Sequence, residues 1–68
     1  MVEVGDLVII SSTMTTGWDN GTVGLCVKVE PLGLFTIYWL HMPTGVEAPF
    51  WSEEIELLIQ KRGFDIGN

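Results

Sequence analysis

The sequence predicts an all-β chain of five short strands with one helical turn before the last, and three observations predict it. Turn-forming residues recur throughout: Gly5-Asp6, Thr16-Gly17, Asp19-Asn20-Gly21, Pro31-Leu32-Gly33, Pro43-Thr44-Gly45, Pro49 and Gly63. That spacing leaves no window for an ordinary helix. β-Branched and aromatic residues fill the gaps between the turns. No heptad, internal repeat or low-complexity tract competes with the strand pattern.

The first strand is expected near residues 7–11, after a tight Val4-Gly5-Asp6 turn. Val4, Val8 and Ile10 share a parity and are assigned to the core, with Leu7 and Ile9 on the other side. Residues 12–20 are polar apart from Met14 and Trp18 and read as a long loop. In the second strand Val23, Leu25, Val27 and Val29 alternate with Gly24, Cys26 and Lys28, which predicts an apolar core face made of the first set. Gly24 inside the strand marks a close backbone approach or a sharp bend.

Pro31-Leu32-Gly33 is expected to turn the chain into a third strand over residues 34–40. There Phe35, Ile37 and Trp39 share one face, assigned to the core, while Thr36, Tyr38 and Leu40 share the other. Neither face is polar, so both are expected to be at least partly covered. Residues 41–45 turn again. Residues 46–51 form a short fourth strand, placed on a sheet edge because Pro49 has no N–H to donate. Ser52-Glu53-Glu54 reads as one helical turn capped by Ser52, with the glutamates at its positive end. Residues 55–58 close the pattern as a fifth strand. Residues 1–60 are thus one domain and residues 61–68 a tail.

Composition narrows the function classes. The chain has 68 residues, 47% of them apolar, a mean hydropathy of +0.37 and a net charge of −6. One small domain fits that length, with a small core and marginal stability. Lys28, Lys61 and Arg62 are the only permanent cations. Nucleic acids and anionic membranes are recognised by clustered Lys and Arg, so neither is an expected partner. Within residues 1–60, one lysine stands against eight carboxylates, a net charge of −7.

A single cysteine, Cys26, makes an intramolecular disulfide impossible, and a single histidine, His41, supplies no zinc-ligand set. His41 lies in a turn beside Met42-Pro43 with no nucleophile or carboxylate at a recognisable spacing, so no catalytic site is expected. Cys26 reads as a small, partly buried hydrophobe. Glu53, Glu54 and Glu56 diverge from one another and read as a solvated acidic rim able to dock a basic partner. No cofactor and no metal are expected. The opening residues lack the basic and apolar regions of a signal peptide, and no apolar run approaches membrane-spanning length. The expected compartment is cytoplasmic.

Four stretches carry a resemblance: Val4-Gly5-Asp6-Leu7-Val8, Gly21-Thr22-Val23-Gly24-Leu25-Cys26-Val27, Phe35-Thr36-Ile37-Tyr38-Trp39-Leu40 and Trp51-Ser52-Glu53-Glu54-Ile55-Glu56-Leu57-Leu58. Together with the layout they resemble small SH3-like barrels with a KOW-like first half, over about residues 4 to 58. In overall style the chain also resembles short reading frames of tailed phages, particularly those of marine photosynthetic bacteria. The class is functionally diverse, so the resemblance implies a fold more than an activity.

The SH3-like resemblance implies that the first long loop and the turn before the last strand flank a ligand groove. Trp18, Tyr38, Phe50 and Trp51 would then line one apolar patch rimmed by Asp19, Glu53 and Glu54. The alternative is that Trp18 folds back as a lid and Trp51 closes an end of the barrel. Phe64 and Ile66 in the tail either dock on a barrel or belong to a frayed terminus. Three functional expectations follow. The first is a non-enzymatic interaction or structural barrel in a homo-oligomer or larger assembly such as a phage particle. The second is a KOW-like nucleic-acid or ribosome-associated module, which the charge opposes. The third is a small regulator that docks on an enzyme through an acidic, aromatic face.

Overall fold

The computed structural model describes residues 2–11 and 17–60. The expected loop residues 12–16, Met14 among them, and the expected tail 61–68 with Phe64 lie outside the described residues. Five strands form one antiparallel sheet: β1 (Leu7–Ile10), β2 (Val23–Leu32), β3 (Phe35–His41), β4 (Glu47–Trp51) and β5 (Ile55–Ile59). A 3₁₀ turn, Ser52–Glu54, joins the last two. The strand order is β4-β3-β2-β1-β5, so β4 and β5 are opposite edges of the sheet. Among the described residues no helix is long and apolar enough to cross a membrane.

That order imposes a shape. In a flat sheet the two edges would stand about 19 Å apart, at about 4.8 Å per strand step. From Trp51 to Ile55 the 3₁₀ turn that connects them advances four residues, only about 8 Å at about 2 Å per residue. The sheet is therefore curled at the end where this turn joins β4 to β5, and the curl separates a concave face from a convex one.

The concave face holds the core: Val8, Ile10, Cys26, Tyr38, Leu40, Met42, Phe50 and Ile55, with Val2, Trp18, Val29 and Ala48 packed against it. Cross-strand register places these residues beside one another. Ile10 faces Ile55, Val8 faces Gly24, Cys26 faces Leu40, and Tyr38 faces Phe50. Val8 and Ile10 are buried as their parity predicts.

The other face assignments are corrected. Along β2 the buried positions are Gly24 and Cys26, while Leu25 is exposed and Val23 and Val27 are half-buried. Pairing of Gly24 with the buried Val8 and of Cys26 with the buried Leu40 sets that parity. A bulge follows between Cys26 and Lys28: Lys28 pairs with Trp39, so Val27 is an unpaired extra residue. An extra residue reverses the parity of everything beyond it. Val29 consequently does pack on the core. Along β3 the buried residues are Tyr38 and Leu40, continued by Met42, and Phe35, Ile37 and Trp39 share the convex face instead. Val4 is 49% exposed, because the Asp6 N–H bonds to the Glu3 carbonyl at 3.0 Å and the resulting turn ends the strand alternation before Val4.

Two turns also shift. Pro31 and Leu32 belong to β2, and the hairpin reverses at Gly33-Leu34, with Leu32 facing Phe35. Gly33 has φ +61° and Leu34 is not positive, which is the two-residue type II′ pattern with glycine first. The closing pair Leu32/Phe35 is hydrogen-bonded in such a hairpin, so by alternation the Pro31/Thr36 pair is not. The missing donor of Pro31 thus falls on the side where β1, which pairs only with Val23–Leu25, is absent. The 3₁₀ turn is capped by Trp51 and not by Ser52, which is its first residue. The Glu54 carboxylate accepts the Trp51 N–H at 2.8 Å, the reach-back half of a capping box. Pro49 does lie on an edge strand, as expected.

Gly24 lies close against Leu40, His41 and Met42. A Cβ there would sit 2.9 Å from Met42 Sδ, 3.1 Å from Leu40 Cβ and 3.3 Å from the His41 carbonyl oxygen. The thioether can swing aside, but Leu40 Cβ and the carbonyl are fixed by the β2–β3 ladder. Gly24→Ala is expected to destabilise the fold by about 1–3 kcal/mol through overpacking. Urea denaturation checks this; an unchanged midpoint would show that β3 yields freely.

Candidate functional site

The convex side of β2, β3 and β4 is built from residues that alternate with the core. In antiparallel register, residues directly opposite share a face. Leu32 faces Phe35, Lys28 faces Trp39, Trp39 faces Pro49, and Ile37 faces both Glu30 and Trp51. The surface so assembled is apolar at its centre. Leu34 at the hairpin tip is 98% exposed, Phe35 63% and Trp51 42%, while Ile37 and Trp39 are half-buried. Phe35 and Trp51 meet edge to face, ring centroids 5.7 Å apart at 71°. This is a favourable aromatic geometry, worth about 0.5–1.5 kcal/mol beyond area burial.

Two shallow hollows flank the Trp51 ring. One, of about 150 Å³, is lined by Phe35, Trp51 and Glu53; the other, of about 120 Å³, by Ile37, Pro49, Phe50 and Trp51. Both are well below the roughly 300–1,000 Å³ of a small-molecule pocket. They suit single side chains of a larger partner.

Charge surrounds the apolar centre. Glu53 borders one hollow, and Glu30 Oε1 accepts the Trp39 indole N–H at 3.0 Å. Lys28 is the only Lys or Arg among the described residues. The outer edge of β4 offers little for strand addition. Its outward-facing positions are Glu47, Pro49 and Trp51; Pro49 has no N–H, and that of Trp51 is taken by Glu54. This face therefore presents side chains rather than free backbone donors.

The expected site residues are only partly brought together. Trp51 and Glu53 stand side by side on the convex face, with Glu54 bonded beneath Trp51. Tyr38 and Phe50 are core residues, so the expected surface patch containing them is corrected; Phe50 reaches the surface only as part of a hollow's lining. Trp18 is half-buried against the core, the lid position, and Asp19 is an exposed loop residue whose carbonyl accepts the Thr22 N–H at 3.2 Å. Phe64 lies outside the described residues. Missed as site residues were Leu34, Phe35, Ile37 and Pro49. The signal for them was the apolar character of both faces of the third strand, since one strand can point only one face inward.

His41 ends β3, exposed, opposite Glu47. Among the described residues no three His, Cys, Asp or Glu side chains form a cluster that could hold a metal ion. Cys26 is only 1% exposed. Burial pushes its thiol above the ordinary value of 9.0; the backbone at Lys28 opposes that in part, and the Asp6 charge adds to it. Comparison of the chain with protein families, with curated proteins and with solved structures finds no match.

The thiol geometry makes a prediction. Cys26 should resist a thiol reagent in the native state at neutral pH and react at the rate of global opening. Its folded-state pKa exceeds the unfolded one, so it has no effect on stability below about pH 9 and destabilises as pH rises above that. Cys26→Ala should flatten that alkaline slope in pH-dependent denaturation, at the cost of a small cavity. Rapid native-state labelling would refute the assignment.

Proposed function

We propose that this chain is a non-enzymatic interaction or structural protein, an SH3-like barrel that acts in a homo-oligomer or larger assembly through its convex apolar face. The observation that carries the reading is the division of aromatics: Tyr38 and Phe50 fill the core, while Phe35 and Trp51 lie exposed and in contact on the other side. The core does not need them. Burying one such side chain in a partner is worth about 1.5–3 kcal/mol, and aromatic anchors with a polar rim are typical binding hot spots.

The barrel class is supported by the strand order, by the short 3₁₀ link between the edge strands and by the motif resemblance. The setting in a phage particle rests on the resemblance to short phage reading frames. Charge favours a protein partner over a nucleic acid: with Lys28 alone among the described residues, few phosphates could be neutralised.

Sedimentation of the full chain at tens of micromolar, together with dye binding to exposed apolar surface, tests the proposal. Self-association or dye uptake is expected. Trp51→Ala should weaken whichever is seen by about tenfold, the effect of roughly 1.4 kcal/mol, with the circular dichroism unchanged. A strict monomer that binds no dye, or a Trp51→Ala variant identical to the parent, would overturn it.

A further inference from the structure

We infer that the hollows beside Trp51 receive residues 61–68 of a second copy of the chain, which would link copies head to tail; this rests on the interaction reading above. Two copies of the body approach each other against their own charge, since residues 1–60 carry one lysine and eight carboxylates. Only one stretch of the chain has the opposite character. Residues 61–68 read Lys-Arg-Gly-Phe-Asp-Ile-Gly-Asn and hold two of the three permanent cations together with Phe64 and Ile66.

The spacing matches the surface as well as the charge. Phe64 and Ile66 are two residues apart, so in an extended segment they project from the same side about 7 Å from each other. The face offers two neighbouring hollows that share Trp51 as their common wall. Glu53 lines the hollow that also contains Phe35, which sets a carboxylate where Lys61 or Arg62 would pass. The blunted edge of β4 leaves side-chain insertion as the mode of binding. β5 carries the chain away from Ile55 and the turn before it, so a segment returning to its own Trp51 would first have to reverse. Pairing one copy's segment with the next copy's face is heterologous, and such contacts close into rings or continue as filaments.

The experiment measures self-association of the full chain by sedimentation, alongside two full-length variants, Phe64→Ala/Ile66→Ala and Lys61→Glu/Arg62→Glu. A synthetic peptide of residues 60–68 is then titrated into the Phe64→Ala/Ile66→Ala chain, with the Trp51 indole N–H resonance as the reporter. Each variant should weaken association by about tenfold or more, and added salt should weaken the parent but not the charge-reversed chain. The peptide should shift the Trp51 resonance, and Trp51→Ala should abolish its binding. If the parent associates and both variants associate equally well, the segment is not the occupant, although the interaction reading stands. If the parent is monomeric and Phe64→Ala/Ile66→Ala moves the Trp51 resonance, the segment lies on its own copy and the second-copy proposal is wrong. If Trp51→Ala also leaves association and dye binding unchanged, the interaction reading itself fails.

Discussion

The connection of opposite sheet edges through Ser52–Glu54 is the constraint on which the rest of this structure depends. A five-stranded sheet tied edge to edge by one helical turn cannot lie flat. Its curl gives the sheet an inside and an outside, and every strand must divide its residues between them. The Glu54 carboxylate that accepts the Trp51 N–H holds the start of that turn. The same contact removes a donor from the β4 edge, so one hydrogen bond both supports the curl and blunts a surface that would otherwise invite strand addition.

The inside is small, and its packing depends on fine adjustments. Gly24 lets β2 lie close to Leu40 and Met42, and the Val27 bulge then returns Val29 to the core side. Bulges bend and twist the strand that carries them, so the residue that upsets the alternation also helps the long β2–β3 hairpin follow the curl. Beyond Cys26 that hairpin has no β1 neighbour. Its far half, with β4 alongside, carries the convex apolar face.

The convex face combines two properties that bear differently on association. Under the proposed reading, its aromatic and aliphatic centre would supply affinity in proportion to the area removed from water, and its carboxylates would favour a partner that brings cations and oppose direct contact between bodies of equal charge. The buried thiol has no part in this chemistry, because burial keeps it protonated and out of reach of solvent.

Most of the architecture was legible in the residues. Turn chemistry located five strands to within a residue or two at most ends, Pro49 marked an edge, and the helical turn before the last strand was apparent from Ser52-Glu53-Glu54. The candidate site was much less legible. Trp51 and Glu53 were anticipated, but Tyr38 and Phe50 were assigned outward and Phe35, Ile37 and Trp39 inward, the reverse of what is found. By itself the sequence determined where strands begin and end, because turns are local and glycine and proline act on their own backbone. Only the tertiary structure decided which side of each strand is the inside. That choice depends on a single bulged residue and on cross-strand register, which come from pairing between distant segments and leave no mark in the alternation of one strand.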